Sequence, residues 1–376
     1  MSELRPPQRP CRAPAALARL ATVWAIASAV AAQSSPRPAA AAGSQPGPGG
    51  ALRFVPPPDR TATSSPDATP VGRPTTRPGT RAAPLPPHDP LGDEADWETV
   101  VGRQAALDRA GFSPGLIDGR AGRKTALAVR AFQEARGLPP TGVFDARTRA
   151  ALRCDDTPAT MPYTISAADV RDVGSVPQDW NAKAKLDRLR YESLSALLAE
   201  RGHCTRATVA RLNPGRDLDR LMPGATVTLP NVKDPAPLPT AARLEVDLDE
   251  KLVRVLDATG RPVALLHCSI AEFVGKRPRG EARVVTVVFD PAYTFRPEMW
   301  PEVKNVRRPL TIPPGPRNPV GLCWIGLSLP GYGIHGTPQP ELIGKTGSHG
   351  CIRLTNWDAV RLGKSVRVGT PVRFVE

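Results

Sequence analysis

Residues 332–354 read Tyr332-Gly333-Ile334-His335-Gly336-Thr337-Pro338-Gln339-Pro340-Glu341-Leu342-Ile343-Gly344-Lys345-Thr346-Gly347-Ser348-His349-Gly350-Cys351-Ile352-Arg353-Leu354, and this stretch decides how the C-terminal part of the chain is read. Two His, several Gly, a Ser and a Cys crowd together here, which is poor core material. A free thiol has a pKa near 8.5, so only a few per cent is thiolate at neutral pH, and a nearby imidazole is the usual remedy. His335 and His349 both qualify as that imidazole. His349 stands two residues before Cys351, which in extended chain puts both side chains on one face. Backbone N–H groups around Gly350 and Cys351 can converge on one point because glycine tolerates conformations that other residues avoid, and an oxyanion site is built that way. The pattern suits acyl transfer through a thioester. The bland alternative is an inert buried Cys with His residues serving turn contacts. One rival pair exists, His267 and Cys268, but adjacent residues on a strand point to opposite faces. No C-x-x-C or H-x-x-x-H spacing occurs, so a structural zinc site is not expected.

Outward from this stretch, residues 241–376 have a period of two. Leu244, Val246 and Leu248 alternate with polar residues, Leu252, Val253 and Val255 follow, and Val263–Ile270 and Val284–Phe289 are further strands. Turn punctuation between them predicts a mostly β sandwich or barrel, completed by a helix over Asn356–Leu362 and a strand over Pro371–Val375. Residues 93–155 are helical instead. Helices are predicted over Trp97–Ala110, Arg123–Arg136 and Ala146–Leu152, with Leu127, Ala131 and Phe132 on one inward stripe. Two turn-then-helix starts echo each other, Ile117-Asp118-Gly119-Arg120 with Thr125, and Thr141-Gly142-Val143-Phe144-Asp145 with Thr148. Residues 160–233 read as a small α+β unit: a strand over Met161–Ile165, a mobile stretch, a helix over Ser193–Arg201, then Leu212-Asn213-Pro214 and Pro223-Gly224-Ala225-Thr226-Val227-Thr228-Leu229-Pro230.

The amino terminus differs in kind. Residues 1–32 carry Arg5, Arg9, Arg12 and Arg19, an apolar run from Leu20 to Ala32, and small residues at its end, the pattern of a secretory signal peptide. Residues 33–92 are Pro, Ala, Gly, Ser, Thr and Arg with few large apolar side chains, and such a segment predicts a disordered tether. Of 376 residues 45 are Pro, and they are densest here, so the folded mass is expected after it. The charge of +14 favours an anionic partner, whether nucleic acid, anionic lipid or a polymer such as a cell wall, without choosing among them. No basic run or basic aromatic sheet pattern points to nucleic acid, and membrane contact is expected only during export. Cys154, Cys204, Cys268, Cys323 and Cys351 remain after the leader, an odd number. Cys154 with Cys204 and Cys268 with Cys323 are candidate bridges, with connectivity left open.

Three family resemblances follow from these residues. The helical segment resembles a peptidoglycan-binding domain through Asp118, Gly119, Gly122, Thr125, Ala128, Val129, Phe132, Gln133, Gly137, Leu138, Gly142 and Thr148. The α+β unit resembles a divergent LysM glycan-binding module, from which it departs by an insertion over roughly Asp172–Leu189. The C-terminal segment resembles the YkuD-like L,D-transpeptidase catalytic domain at His335, Gly336, Thr337, Ser348, His349, Gly350, Cys351, Ile352, Arg353, Leu354 and Asn356.

The resemblance implies Cys351 as nucleophile and His335 as general base, with the Gly336 carbonyl holding the second imidazole nitrogen. It places His349, Gly350, Gly336 and Ser348 around the oxyanion, and Arg353, Thr337 and Tyr332 toward substrate; the alternative for Arg353 is bracing the loop. The implied reaction takes the acyl group from a peptidoglycan tetrapeptide stem, releases D-Ala and forms a 3→3 cross-link in the periplasm or cell wall. It requires no metal or organic cofactor. Water or a lysine of an envelope protein are the alternative acceptors, and a non-catalytic wall-binding protein is the alternative of another class. The catalytic reading requires a thiol that is reachable and not held in a disulfide.

Overall fold

The computed structural model describes residues 96–233, 235–300, 302–347 and 350–376. The segments read as signal peptide and tether lie outside the described residues, as do Ser348 and His349.

Three helices open the described chain: α1 (Trp97–Arg109), α2 (Arg123–Ala135) and α3 (Ala146–Ala151). Asp96 caps α1 by accepting from the Thr99 N–H, and Asp145 caps α3 by accepting from the Thr148 N–H. The echo seen in the sequence has a shared physical cause. A buried glutamine holds each turn: Gln104 accepts from the Asp118 and Gly119 N–H groups and donates to Arg120 O and Thr125 Oγ1. Gln133 accepts from Gly142 N–H and donates to Val143 O and Thr148 Oγ1. Each amide satisfies turn groups that would otherwise be buried unpaired.

The next unit runs β1 (Thr160–Thr164), α4 (Ala167–Arg171), α5 (Trp180–Ala184), α6 (Leu194–Arg201), α7 (Arg206–Leu212) and β2 (Thr226–Pro230). β1 and β2 pair antiparallel, Tyr163 opposite Val227. Asn213 locks the second half of the unit onto β2, donating to Thr228 O and accepting from Thr228 N–H, both at 2.8 Å. The stretch expected to be mobile is instead ordered. It holds α4, closed by a reciprocal Ser166/Asp169 capping box, and α5 within the insertion.

The C-terminal part contains β3 (Arg243–Asp247), β4 (Leu252–Leu256), β5 (Pro262–His267), β6 (Glu281–Phe289), β7 (Tyr293–Phe295), β8 (Leu310–Ile312), β9 (Cys323–Leu327), β10 (Gly333–His335), β11 (Ile352–Arg353), α8 (Asn356–Ser365) and β12 (Pro371–Val375). Eight strands make one sheet in the order β11-β10-β9-β6-β12-β3-β4-β5, while β7 and β8 form a separate hairpin. β10 with β11 and β12 with β3 are parallel. Leu244, Val246, Val253, Val255, Val284, Ile325, Ile334, Ile352, Ala359 and Leu362 share one core, so α8 packs on the sheet that carries the His/Cys motif at its β10/β11 edge.

Sheet and helices interlock. Ser113 N–H donates to Leu265 O and Leu265 N–H to Gly111 O, so the first unit extends the hydrogen bonding of β5. Phe112 packs edge-to-face on Phe132 in a cluster that also contains Leu252 and Leu265. A charged cluster marks the triple junction: His203 Nδ1 lies 2.9 Å from Asp108 Oδ1, Arg361 donates to Asp108 O, Ser113 Oγ donates to Asp358, and Trp357 stacks on His203.

The two candidate bridges are corrected: all five described cysteines are thiols, and no disulfide joins any two of them. Cys154 and Cys204 belong to different packed clusters, and Cys268 and Cys323 share the sheet core without bonding. Among the described residues no helix is long and apolar enough to cross a membrane.

Candidate active site

Parallel pairing of β10 with β11 brings the two halves of the motif together, with Ile334 opposite Ile352 and His335 opposite Arg353. Leu354 N–H donates to His335 O at 2.8 Å, extending the ladder past the strand end. Cys351 immediately precedes β11 and so enters the site from the strand beside the one that carries His335.

His335 is buried, and its Nδ1 lies 2.6 Å from Gly336 O. A carbonyl only accepts, so Nδ1 carries the proton and Nε2 keeps a lone pair. Trp324 of β9 stacks on the ring at 5.6 Å. Burial pushes the His335 pKa down to about 4, and the positive charge of Arg353 adds to the fall against an opposing pull from Gly336 O. The imidazole is therefore neutral at pH 7. Both polar groups of Gly336 are engaged: its N–H donates to Cys323 O and its carbonyl takes the His335 proton. A Cβ there would stand 2.4 Å from Asn356 Oδ1, so the close approach of α8 requires glycine. Asn356 in turn accepts from Leu322 N–H and donates to Pro316 O and Glu200.

Cys351 Sγ lies 3.7 Å from Gly331 O, and the residue as a whole is 6% exposed. It belongs to a buried cluster with Leu189, Tyr293, Phe295, Val306, Ile312, Val320 and Trp324. Burial pushes its pKa up to about 12, opposed by a Gly333 backbone hydrogen bond and by Arg353. Of the two requirements set by the sequence, the absence of a disulfide is met. Open access is not: in this conformation the β7–β8 hairpin residues pack in the same cluster as the sulfur.

The remaining expected residues divide. Arg353 donates from Nη2 to Thr346 O and Thr346 Oγ1 at 3.3 Å and to Gly347 O, so its guanidinium braces the loop that leads to Ser348 and His349. Thr337 is buried, and its hydroxyl accepts from Gln339 N–H. The Tyr332 hydroxyl donates to Lys276 O. These two side chains hold the turn and the neighbouring segment. Gly350 is buried beside Cys351. Ser348 and His349 lie outside the described residues. Among the described residues no group of three or more His, Cys, Asp or Glu is placed to hold a metal.

Sequence reasoning missed Trp324 and the hairpin aromatics Tyr293 and Phe295. Trp324 carries a usable signal, since it sits in a five-residue run, Cys323-Trp324-Ile325-Gly326-Leu327, in which every residue is buried. The hairpin strands have three residues each, too short for any period to show.

Residues 241–374 match the family described as the L,D-transpeptidase catalytic domain, YkuD, and residues 98–152 match the family described as "Putative peptidoglycan binding domain". The chain is 29% identical over 181 residues to "Putative L,D-transpeptidase YkuD" of Bacillus licheniformis, covering 48% of this chain and 92% of that protein. It is 32% identical over 171 residues to "Probable L,D-transpeptidase ErfK/SrfK" of Salmonella typhimurium, covering 44% of this chain and 53% of that one. Among solved structures, an L,D-transpeptidase from Xylanimonas cellulosilytica aligns with a TM-score of 0.31 at 18% identity, over 78% of this chain and 99% of that one. The chain thus carries an L,D-transpeptidase catalytic domain of the YkuD type, preceded by a peptidoglycan-binding domain.

Proposed function

We propose that the protein cross-links peptidoglycan stems through an acyl-enzyme on Cys351. The observation that carries this reading is the His335 tautomer: Gly336 O holds the proton on Nδ1 and leaves Nε2 as a base on the strand next to Cys351. Burial keeps both groups neutral, so His335 acts as a general base during attack and not as half of a standing ion pair.

The thiol attacks the carbonyl between the third residue and the D-Ala of a tetrapeptide stem, giving its proton to His335. The tetrahedral intermediate collapses to a thioester, and His335 returns the proton to the departing D-Ala amine. The side-chain amine of a diamino acid on a second stem then attacks the thioester, loses a proton to His335 and regenerates the thiol, leaving a 3→3 cross-link. Backbone N–H groups near Gly350 and Cys351 are the proposed oxyanion donors, each worth roughly 3 kcal/mol. Residues 98–152 keep the enzyme on the polymer, and the LysM-like unit adds a second glycan contact or serves as a spacer. An enzyme acting on this polymer works outside the cytoplasm, in agreement with the export signal read over residues 1–32.

Incubating the purified chain with disaccharide-tetrapeptides is expected to release D-Ala and form dimers detected by mass spectrometry, and Cys351→Ala is expected to abolish both. Unimpaired turnover by that variant overturns the mechanism.

A further inference from the structure

The insertion Asp172–Leu189, which the LysM resemblance leaves unexplained, docks on the catalytic domain at two places. At the first, Trp180 of α5 stacks on Phe295 of β7 with ring centroids 4.3 Å apart and lies 6.0 Å from Trp300 and 6.3 Å from Tyr293. Polar contacts flank this stack: Asn181 Nδ2 donates to Asn305 O at 3.2 Å, and Asn305 Nδ2 donates to Asp179 Oδ2 at 2.5 Å. The hairpin is thus gripped on both its aromatic side and its connecting loop.

At the second place, Leu189 N–H donates to Pro314 O and Arg317 N–H donates to Leu189 O. Gly315, at φ +131°, admits this approach, since a Cβ there would sit 2.3 Å from Leu189 O. Arg188 adds ion pairs to Asp172 and to Asp290, which follows β6. Arg317 continues the line by donating to Pro338 O at 2.6 Å, just past His335-Gly336-Thr337. One insertion therefore ties the hairpin packed with Cys351 to the loop that follows His335.

We propose that this insertion is a positioning element of the catalytic site and that Trp180 is the residue through which it acts, holding the β7–β8 hairpin over Cys351. The inference rests on Cys351 being the nucleophile. Trp180 acts through the hairpin: it sets how often the hairpin lifts, and so how often the thiol is reachable. A buried thiol reacts with a small reagent in proportion to the population of the opened form, so the closure is measurable without turnover.

The test is the rate of iodoacetamide alkylation at each cysteine of the full folded chain, resolved by peptide mass spectrometry, together with kcat and KM for D-Ala release. Trp180→Ala is expected to raise the Cys351 rate at least about tenfold while leaving Cys268 unchanged, and to alter KM more than kcat, with Trp180→Phe restoring the parent values. An unchanged Cys351 rate in a folded Trp180→Ala protein overturns the proposal. So does an equal rise at Cys268, which reports general loosening. If Trp180→Ala does not fold, Asp179→Ala with Asn181→Ala removes the exposed polar contacts and is judged by the same two rates. Turnover surviving Cys351→Ala sinks the acyl-enzyme reading through a different measurement, so the two failures are distinguishable.

Discussion

Two His/Cys pairs occupy this domain, and burial alone does not tell them apart. His267 and His335 both have depressed pKa values, about 3 and about 4, and Cys268 and Cys351 are both pushed upward, in each case chiefly by desolvation. The difference lies in what surrounds each sulfur. His267 donates from Nε2 to Lys124 O on the α2 side, while Cys268 sits fully buried in the sheet core, so the adjacent side chains face apart. His335 lies on β10 and Cys351 immediately precedes the parallel neighbour β11, and Cys351 packs in a cluster with a hairpin outside the main sheet. Desolvation leaves a neutral imidazole and a protonated thiol in both places; what differs is that Cys351 packs with the β7–β8 hairpin and Cys268 with the main sheet core.

The largest expected effect breaks the comparison outright if it fails. Cys351→Ala should lose D-Ala release, whereas Cys268→Ala should keep it and lose only stability, by about 1–3 kcal/mol for the missing packing, measured by denaturant unfolding. Loss of turnover in a folded Cys268→Ala protein would reverse the assignment. Next in size, His335→Gln should reduce kcat by about 10²–10⁴, the range of a lost general base, while His267→Gln stays within a few-fold. A comparable loss at both positions would remove the distinction.

A smaller effect concerns the resting state of the sulfur. With its pKa raised, Cys351 is thiol at neutral pH, so its alkylation rate should keep climbing from pH 7 to pH 10. A plateau reached by pH 7 would show a preformed thiolate and contradict the neutral pair.

The smallest effect contrasts these uncharged sites with the junction cluster. Burial, with Asp108 beside it, pushes the Asp358 carboxyl up to about 6 from its ordinary 3.8, while Arg361 pulls the other way. The folded state therefore holds this proton more tightly than the unfolded chain does. Its stabilising contribution is complete below about pH 4 and is lost as pH rises through 6, a difference of up to about 3 kcal/mol. Asp358→Asn should flatten the fall in stability between pH 5 and pH 7, followed by thermal unfolding; an unchanged slope would assign that fall to other groups.

Much of the fold was legible in the amino acids. The three N-terminal helices fall within a residue or two of expectation because Asp96, Gly122 and Asp145 mark their starts and Gly111 and Gly137 follow the ends of the first two. The closing strand Pro371–Val375 matches its alternation residue for residue. Strands β7 to β11 went unread, since β7, β8, β10 and β11 have only two or three residues and cannot display a period, and β9 in the sheet interior is buried on both faces. In the candidate site, the chemistry and spacing of residues 335–351 made His335 and Cys351 the pair to look for, and β10, which carries His335, does lie beside β11, which Cys351 immediately precedes. Loop bracing was one of the two readings for Arg353, but its partners Thr346 and Gly347, the inward turn of Thr337 and the packing of the hairpin with the thiol were not legible, because each depends on which segments meet across the fold.

By itself the sequence determined the order of its folded units, the residue types that can perform acyl transfer and the exceptional character of the Asp172–Leu189 segment. Local rules suffice for these, since caps, alternation and glycine placement act over a few residues. Tertiary structure alone decided that the units interlock, that neither candidate bridge is formed, and that the insertion lies against the hairpin packed with Cys351. Contacts such as Trp180 with Phe295 join residues more than a hundred positions apart, and only the packing of complementary apolar surfaces selects them.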